Sequence, residues 1–181
     1  MVYVAFGCEC LLIVVFACSA AAKVVGKGSF TAFRLATARL VPAFRHLARP
    51  LAAAVVCVEL AAAVLLAVPA TARAGLVLAL VLLSAFTVAI AAALRRGETA
   101  ACNCFGSSTA PMGARHLVRN ALLLTVAGIG LATGLGGPTG AEVPVMVLTG
   151  ASAAVLAVLV LNLDALTDLF ATTPIPERTT S

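Results

Sequence analysis

The chain has 181 residues, of which 62% are hydrophobic and only 10% charged, and its mean hydropathy is +1.14. A soluble domain of this length draws about a quarter of its residues from Asp, Glu, Lys and Arg to cover its surface, so the composition excludes one and requires an integral membrane protein. The net charge of +5 does not call for nucleic acid, because the basic residues fall mostly between apolar runs, where anionic lipid headgroups are the natural partner.

Five apolar runs, at 2–22, 51–69, 74–94, 117–135 and 143–163, approach the 20 or so residues that cross a hydrocarbon core of about 30 Å. The runs are continuous rather than alternating, and Ala and Leu dominate them, which reads as helices and not strands. Each helix satisfies its own backbone polar groups, as the bilayer demands. The expected fold is all-α: a polytopic transmembrane helical bundle of about five spans. It forms one domain over residues 1–171, and the polar tail 172–181 is expected to be disordered.

The first run contains Cys8 and Cys10 around Glu9. On an intact helix the side chains of i and i+2 diverge by about 200°, so these two can act as an outer redox pair only if the first turns fray. No Lys or Arg precedes Lys23, so the run lacks the positive n-region of a cleaved signal. Cys18, and Cys57 in the second run, read as small buried hydrophobes. Residues 24–49 mix Phe30, Phe33, Leu40, Phe44 and Leu47 with spaced arginines. That pattern predicts helical pieces along the membrane interface, broken near Pro42.

Glu59, within the second run, is an ionisable group at membrane depth and therefore a functional candidate by default. Its same-face neighbours Val55, Val56, Ala62 and Ala63 are apolar, so its partner must come from another helix. Arg119 and Asn120, at the start of the fourth run, are the expected ones. Glu59 and Arg119 then form either a proton relay or a buried ion pair.

The loop 95–116 carries "ETAACNCFGSS", with Cys102 and Cys104 one residue apart. Packing gives no reason for cysteines in a polar loop. Arg95, Arg96 and Arg115 favour the reactive thiolate there, and a tight ring between near neighbours is easily reduced. Redox chemistry is the expected role. A metal site remains the alternative, with Cys102, Cys104 and His116 as ligands and His46 as a fourth; a Cys-x-Cys pair suits a soft ion such as Cu(I) better than zinc. In the last two runs, Gly130 with Gly134 and Gly150 with Ala154 are expected packing faces, and Asp164 with Asp168 marks the exit of the fifth.

If all five runs cross, eleven of the twelve basic residues fall on one side, Lys23 among them. The positive-inside rule then puts the N-terminus outside, and the C-terminus and the Cys-x-Cys loop in the cytoplasm.

Four stretches resemble the MauE family of methylamine-utilisation membrane proteins, grouped with DoxX-like redox-associated proteins. They are "AAAKVV" around Lys23, "CVEL" with Glu59, "LRRGETAACNCFG", and "LVRNALLL" around Arg119 and Asn120. Their order and spacing agree from about residue 5 to 135. The resemblance implies a multi-pass protein of the bacterial plasma membrane acting with a thioredoxin-like partner of the TlpA or MauD type. It implies a role in disulfide formation and maturation of extracytoplasmic client proteins, hence a thiol–disulfide oxidoreductase; separately, a quinone is one way to carry electrons across a bundle about 30 Å thick. The resemblance makes Cys102 and Cys104 the redox pair and gives Phe105 and Gly106 the shaping of the turn. Asn103 stands where the family pattern has glycine. The family is described with four spans, a DoxX-like core to which this chain adds one. Two rival readings remain open: a soft-metal carrier of the mercury or copper kind, and an assembly subunit without thiol chemistry.

Overall fold

The computed structural model describes residues 2–96, 114–133 and 143–162. The Cys-x-Cys motif with Phe105 and Gly106, and also Gly134, Asp164, Asp168 and the tail, lie outside the described residues. The elements run α1 (Val2–Val24), α2 (Ser29–Leu40), a 3₁₀ turn (Pro42–Leu47), α3 (Ala48–Ala67), α4 (Ala72–Arg95), α5 (Ala114–Ala132) and α6 (Val143–Leu161). Among the described residues, four helices are long and apolar enough to span a membrane, and His116–Ala132 is a shorter apolar one. The fold is the all-α polytopic bundle of about five spans that the apolar runs predict.

Helix α1 is the hub. It packs against α2, α3, α4, α5 and α6, while α3 packs on α4 and α4 on α5. Its buried face carries Leu12, Val15 and Phe16, which join Leu66, Leu76, Leu83 and Leu123 in the main apolar core. A second cluster, with Ala20, Phe33, Ala52, Val56, Ile90 and Ala93, closes the end where α2 sits. The outward faces are apolar too, with Val64, Val81, Val88, Val147 and Leu148 exposed. That is the pattern of a bundle solvated by lipid, in which packing rather than water exclusion brings helices together. Hydroxyls on the helices are neutralised locally: Thr37, Thr87, Thr125, Thr133 and Thr149 each donate to the carbonyl four residues back, so none needs water.

The break between α2 and the 3₁₀ turn falls at Val41, just ahead of Pro42, where the proline ring disfavours helix in the preceding residue. The turn from α1 into α2 uses two glycines at positive φ, Gly26 at 126° and Gly28 at 90°. Side chains rarely adopt this region, and the reversal lays Phe33 of α2 against the end of α1.

Two packing expectations change. In α6 the buried small residues are Ala153 and Ala157, one turn apart, whereas a Cβ on Gly150 would meet nothing within 4 Å. Cys18 and Cys57 are exposed on the outside of the bundle rather than buried in it. Helix phase decides both cases, and residue size alone does not reveal it. Gly130 does mark a close approach: a Cβ there would come within 3.2 Å of Cys8 and of Leu76.

Gly28→Ala is expected to lower the thermal midpoint in detergent, because left-handed backbone costs an L-residue about 1–2 kcal/mol. Gly150→Ala, placed in open space on a helix, is expected not to lower it.

Candidate functional site

Ser19 and Lys23 stand four residues apart and so share one face of α1. Glu59 lies on the buried face of α3 with Ala52, Val56 and Ala63. The three side chains converge where the two apolar clusters meet. Lys23 Nζ donates to Glu59 Oε1 at 2.6 Å and Oε2 at 2.8 Å, and to Ser19 Oγ at 2.6 Å. Ser19 Oγ donates in turn to Glu59 Oε1 at 3.1 Å. All three residues are at most 1% exposed. An ammonium has three protons, and three acceptors face this one. Phe33 and Phe86 add their ring faces, with Nζ 5.0 Å and 6.0 Å from the centroids, a distance at which the ring quadrupole attracts a cation.

The partner of Glu59 shown here is therefore Lys23, which the charge count had placed among the loop cations. Lys23 is the penultimate residue of α1, whereas Glu59 is eleven residues into α3, about 16 Å from its start. Helix α1 thus stops short of the level at which α3 begins, and α2 fills the difference. The sequence did hold a signal: an acid inside a span requires a cation, and Ser19-x-x-x-Lys23 supplies a polar stripe at the end of the neighbouring span. Without Lys23 and Arg119, the excess of basic residues at this end of the bundle persists.

At the start of α5, His116, Arg119 and Asn120 are all buried, at positions i, i+3 and i+4 of one helical face. The Arg119 guanidinium lies 3.3 Å from His116 Nδ1. A guanidinium only donates, so Nδ1 is the acceptor in this contact. Helices α1 and α5 run antiparallel, with Cys8 against Gly130 at the far end. Counting back along both at about 1.5 Å per residue brings Arg119 and His116 level with Ser19 and Lys23. Leu117 packs on the same end cluster as Phe33 and Val56. Arg96, just past α4, donates to the Leu40 carbonyl at 2.8 Å, so α4 also ends here. Arg96 and Ala114, the described residues on either side of 97–113, therefore both lie at the end of the bundle that holds these two polar groups.

Cys8 and Cys10 sit at the opposite end of α1 as free thiols, on helix that is intact through both residues. Cys8 is fifteen residues from Lys23, about 22 Å along the axis.

Comparison with protein families matches methylamine utilisation protein MauE over residues 1–133, a stretch that contains α1 to α5 and every residue of both polar groups. The chain belongs to the MauE family. Helix α6 lies beyond the matched stretch, which agrees with its lying outermost, against α1. Neither the curated proteins nor the solved structures contain a match.

Breaking a buried pair strands a charge and costs about 3–5 kcal/mol, whereas replacing both partners with apolar groups is often neutral. Glu59→Gln is thus expected to lower the thermal midpoint sharply. The double change Lys23→Met with Glu59→Leu is expected to recover most of the loss, read by unfolding in the same detergent.

Proposed function

We propose that this MauE-family protein is a thiol–disulfide redox protein of the bacterial plasma membrane. It works through Cys102 and Cys104 with a thioredoxin-fold partner, in the maturation of extracytoplasmic disulfide-containing proteins. The observation that carries this reading is the placement of the ends of the Cys-x-Cys segment. Both join the bundle where Lys23, Glu59 and Ser19, and His116, Arg119 and Asn120, are buried. Two thiols in a stretch of polar sequence are suited to exchange, and a fixed polar platform gives a docking partner one geometry to meet.

The chemistry balances within the pair of proteins. When Cys102 and Cys104 are oxidised, one S–S bond forms here as one breaks in the partner. Two electrons and two protons pass to the partner's sulfurs through a mixed disulfide. The reverse reaction reduces Cys102 and Cys104 by the same path. In this reading Glu59 and Arg119 are positioning residues: Glu59 holds Lys23, and Arg119 holds the His116 ring. Phe105 and Gly106 shape the turn that presents the sulfurs. In this reading the basic excess puts this end in the cytoplasm under the positive-inside rule, so the partner met first is on that side, and the electron pair exchanged with clients on the other side crosses the bilayer on a second carrier such as a quinone.

Cys104→Ser leaves one attacking thiol and removes the resolving one. In membranes it is expected to trap a mixed disulfide through Cys102 with a thioredoxin-fold protein, seen as a band that a reductant collapses. The double change Cys102→Ser with Cys104→Ser is expected to lose the band. Absence of any reductant-sensitive adduct, with stoichiometric retention of a soft metal by the purified chain, would replace this reading with the metal-carrier one.

A further inference from the structure

The hairpin formed by α2, the 3₁₀ turn and the start of α3 has two unlike faces. One, lined by Phe33, Leu40, Leu51 and Phe86, is an apolar groove of about 150 Å³. The other is a cleft of about 460 Å³ walled by Arg34 and Arg39 from α2, Arg45 and His46 from the 3₁₀ turn, and Arg49 from α3. The cations come from three elements, with Arg34 and Arg39 five apart on α2 and Arg45 and Arg49 on either side of the junction into α3, and the cleft gathers all four. The break at Val41 folds one pair towards the other.

No carboxylate offsets these guanidinium groups among the described residues. Glu59 is bound by Lys23, and Glu9 sits in the first half of α1, near its other end. Like charges held around one cleft call for an anion, and the planar guanidinium donates two parallel hydrogen bonds to phosphate oxygens. The surroundings choose among anions. Leu35, Phe44 and Leu47 on the same hairpin are each about half exposed, at 52%, 53% and 45%. Large apolar side chains interleaved with arginines fit the boundary between headgroups and acyl chains, where Arg stems lie in the apolar layer and their heads reach outward. Water carrying free phosphate, or an acidic protein surface, would leave those side chains uncovered.

We infer that the cleft between α2 and the start of α3 is a binding site for the phosphate of an anionic glycerophospholipid, held by Arg34, Arg39, Arg45 and Arg49. Such a lipid clamps the hairpin from outside while Phe33 seals Lys23 from within. The site is separate from the Cys-x-Cys chemistry and stands whether or not that chemistry is correct.

The test uses the full chain, purified in detergent and equilibrated with equal amounts of phosphatidylglycerol and phosphatidylcholine, with retained lipid counted by native mass spectrometry. The wild-type chain is expected to retain phosphatidylglycerol preferentially and saturably. Each Arg→Gln change in the cleft is expected to lower the preference by about five-fold, whereas Arg73→Gln, at the other end of the bundle, leaves it unchanged. Equal retention of the two lipids by the wild-type chain would overturn the proposal without recourse to any variant. So would a preference unaltered by the Gln changes, or displacement of the lipid by excess inorganic phosphate.

Discussion

An ion pair between Lys23 and Glu59 sets the arrangement of the bundle around it. A charged side chain at membrane depth is penalised by about 2.5–3.5 kcal/mol even on insertion scales, so neither residue is tolerable alone. Together they saturate one another: the ammonium meets both carboxylate oxygens and the Ser19 hydroxyl. That geometry fixes the rotation of α1 against α3, because only one face of each helix carries the required groups. It also fixes where α1 ends. The Gly26 and Gly28 turn and the α2 hairpin follow from the need to cover Lys23, and Phe33 is the residue that covers it.

The two ends of the molecule consequently differ in kind. The end with α2 gathers buried polar groups, most of the arginines and both anchors of the Cys-x-Cys segment. The other end is sealed by close apolar contact, with Gly75 packed onto the Leu66 backbone and Gly130 against Cys8 and Leu76. Helix α6 rests on α1 through Ala153 and Ala157, brings Thr149 against Gly7, and lies beyond the residues that match MauE. The stretch that matches the family is α1 to α5, with α6 packed on α1 beside it.

Much of this was legible in the sequence, and for definite reasons. Spans are written as continuous apolar runs because the bilayer imposes their length, and the break at Pro42 is written in its ring. Glu59 announced itself as a buried acid needing a partner from another helix. The identity of that partner was hidden, because Lys23 at the edge of a run looks like a residue that faces water, and its acid lies 36 positions away. Gly150 with Ala154 looked like a packing face because both are small, but the buried stripe of α6 falls on Ala153 and Ala157. Cys18 and Cys57 looked like core residues because cysteine is commonly buried, and here the helix phase turns them outward. In each case the missing information is rotational: which face of a helix meets which neighbour. An apolar run that is hydrophobic all round does not encode it.

The proposed function requires Cys102 and Cys104 to behave as one redox couple. The direct measurement is a thiol–disulfide titration of the full chain in lipid nanodiscs against graded thiol buffers, counting free thiols by alkylation mass. Cys102 and Cys104 are expected to oxidise together in a single two-electron transition, about 30 mV per tenfold change in their ratio, which either single serine variant abolishes. Thiols that stay reduced across the whole range, or that oxidise one at a time, would contradict it.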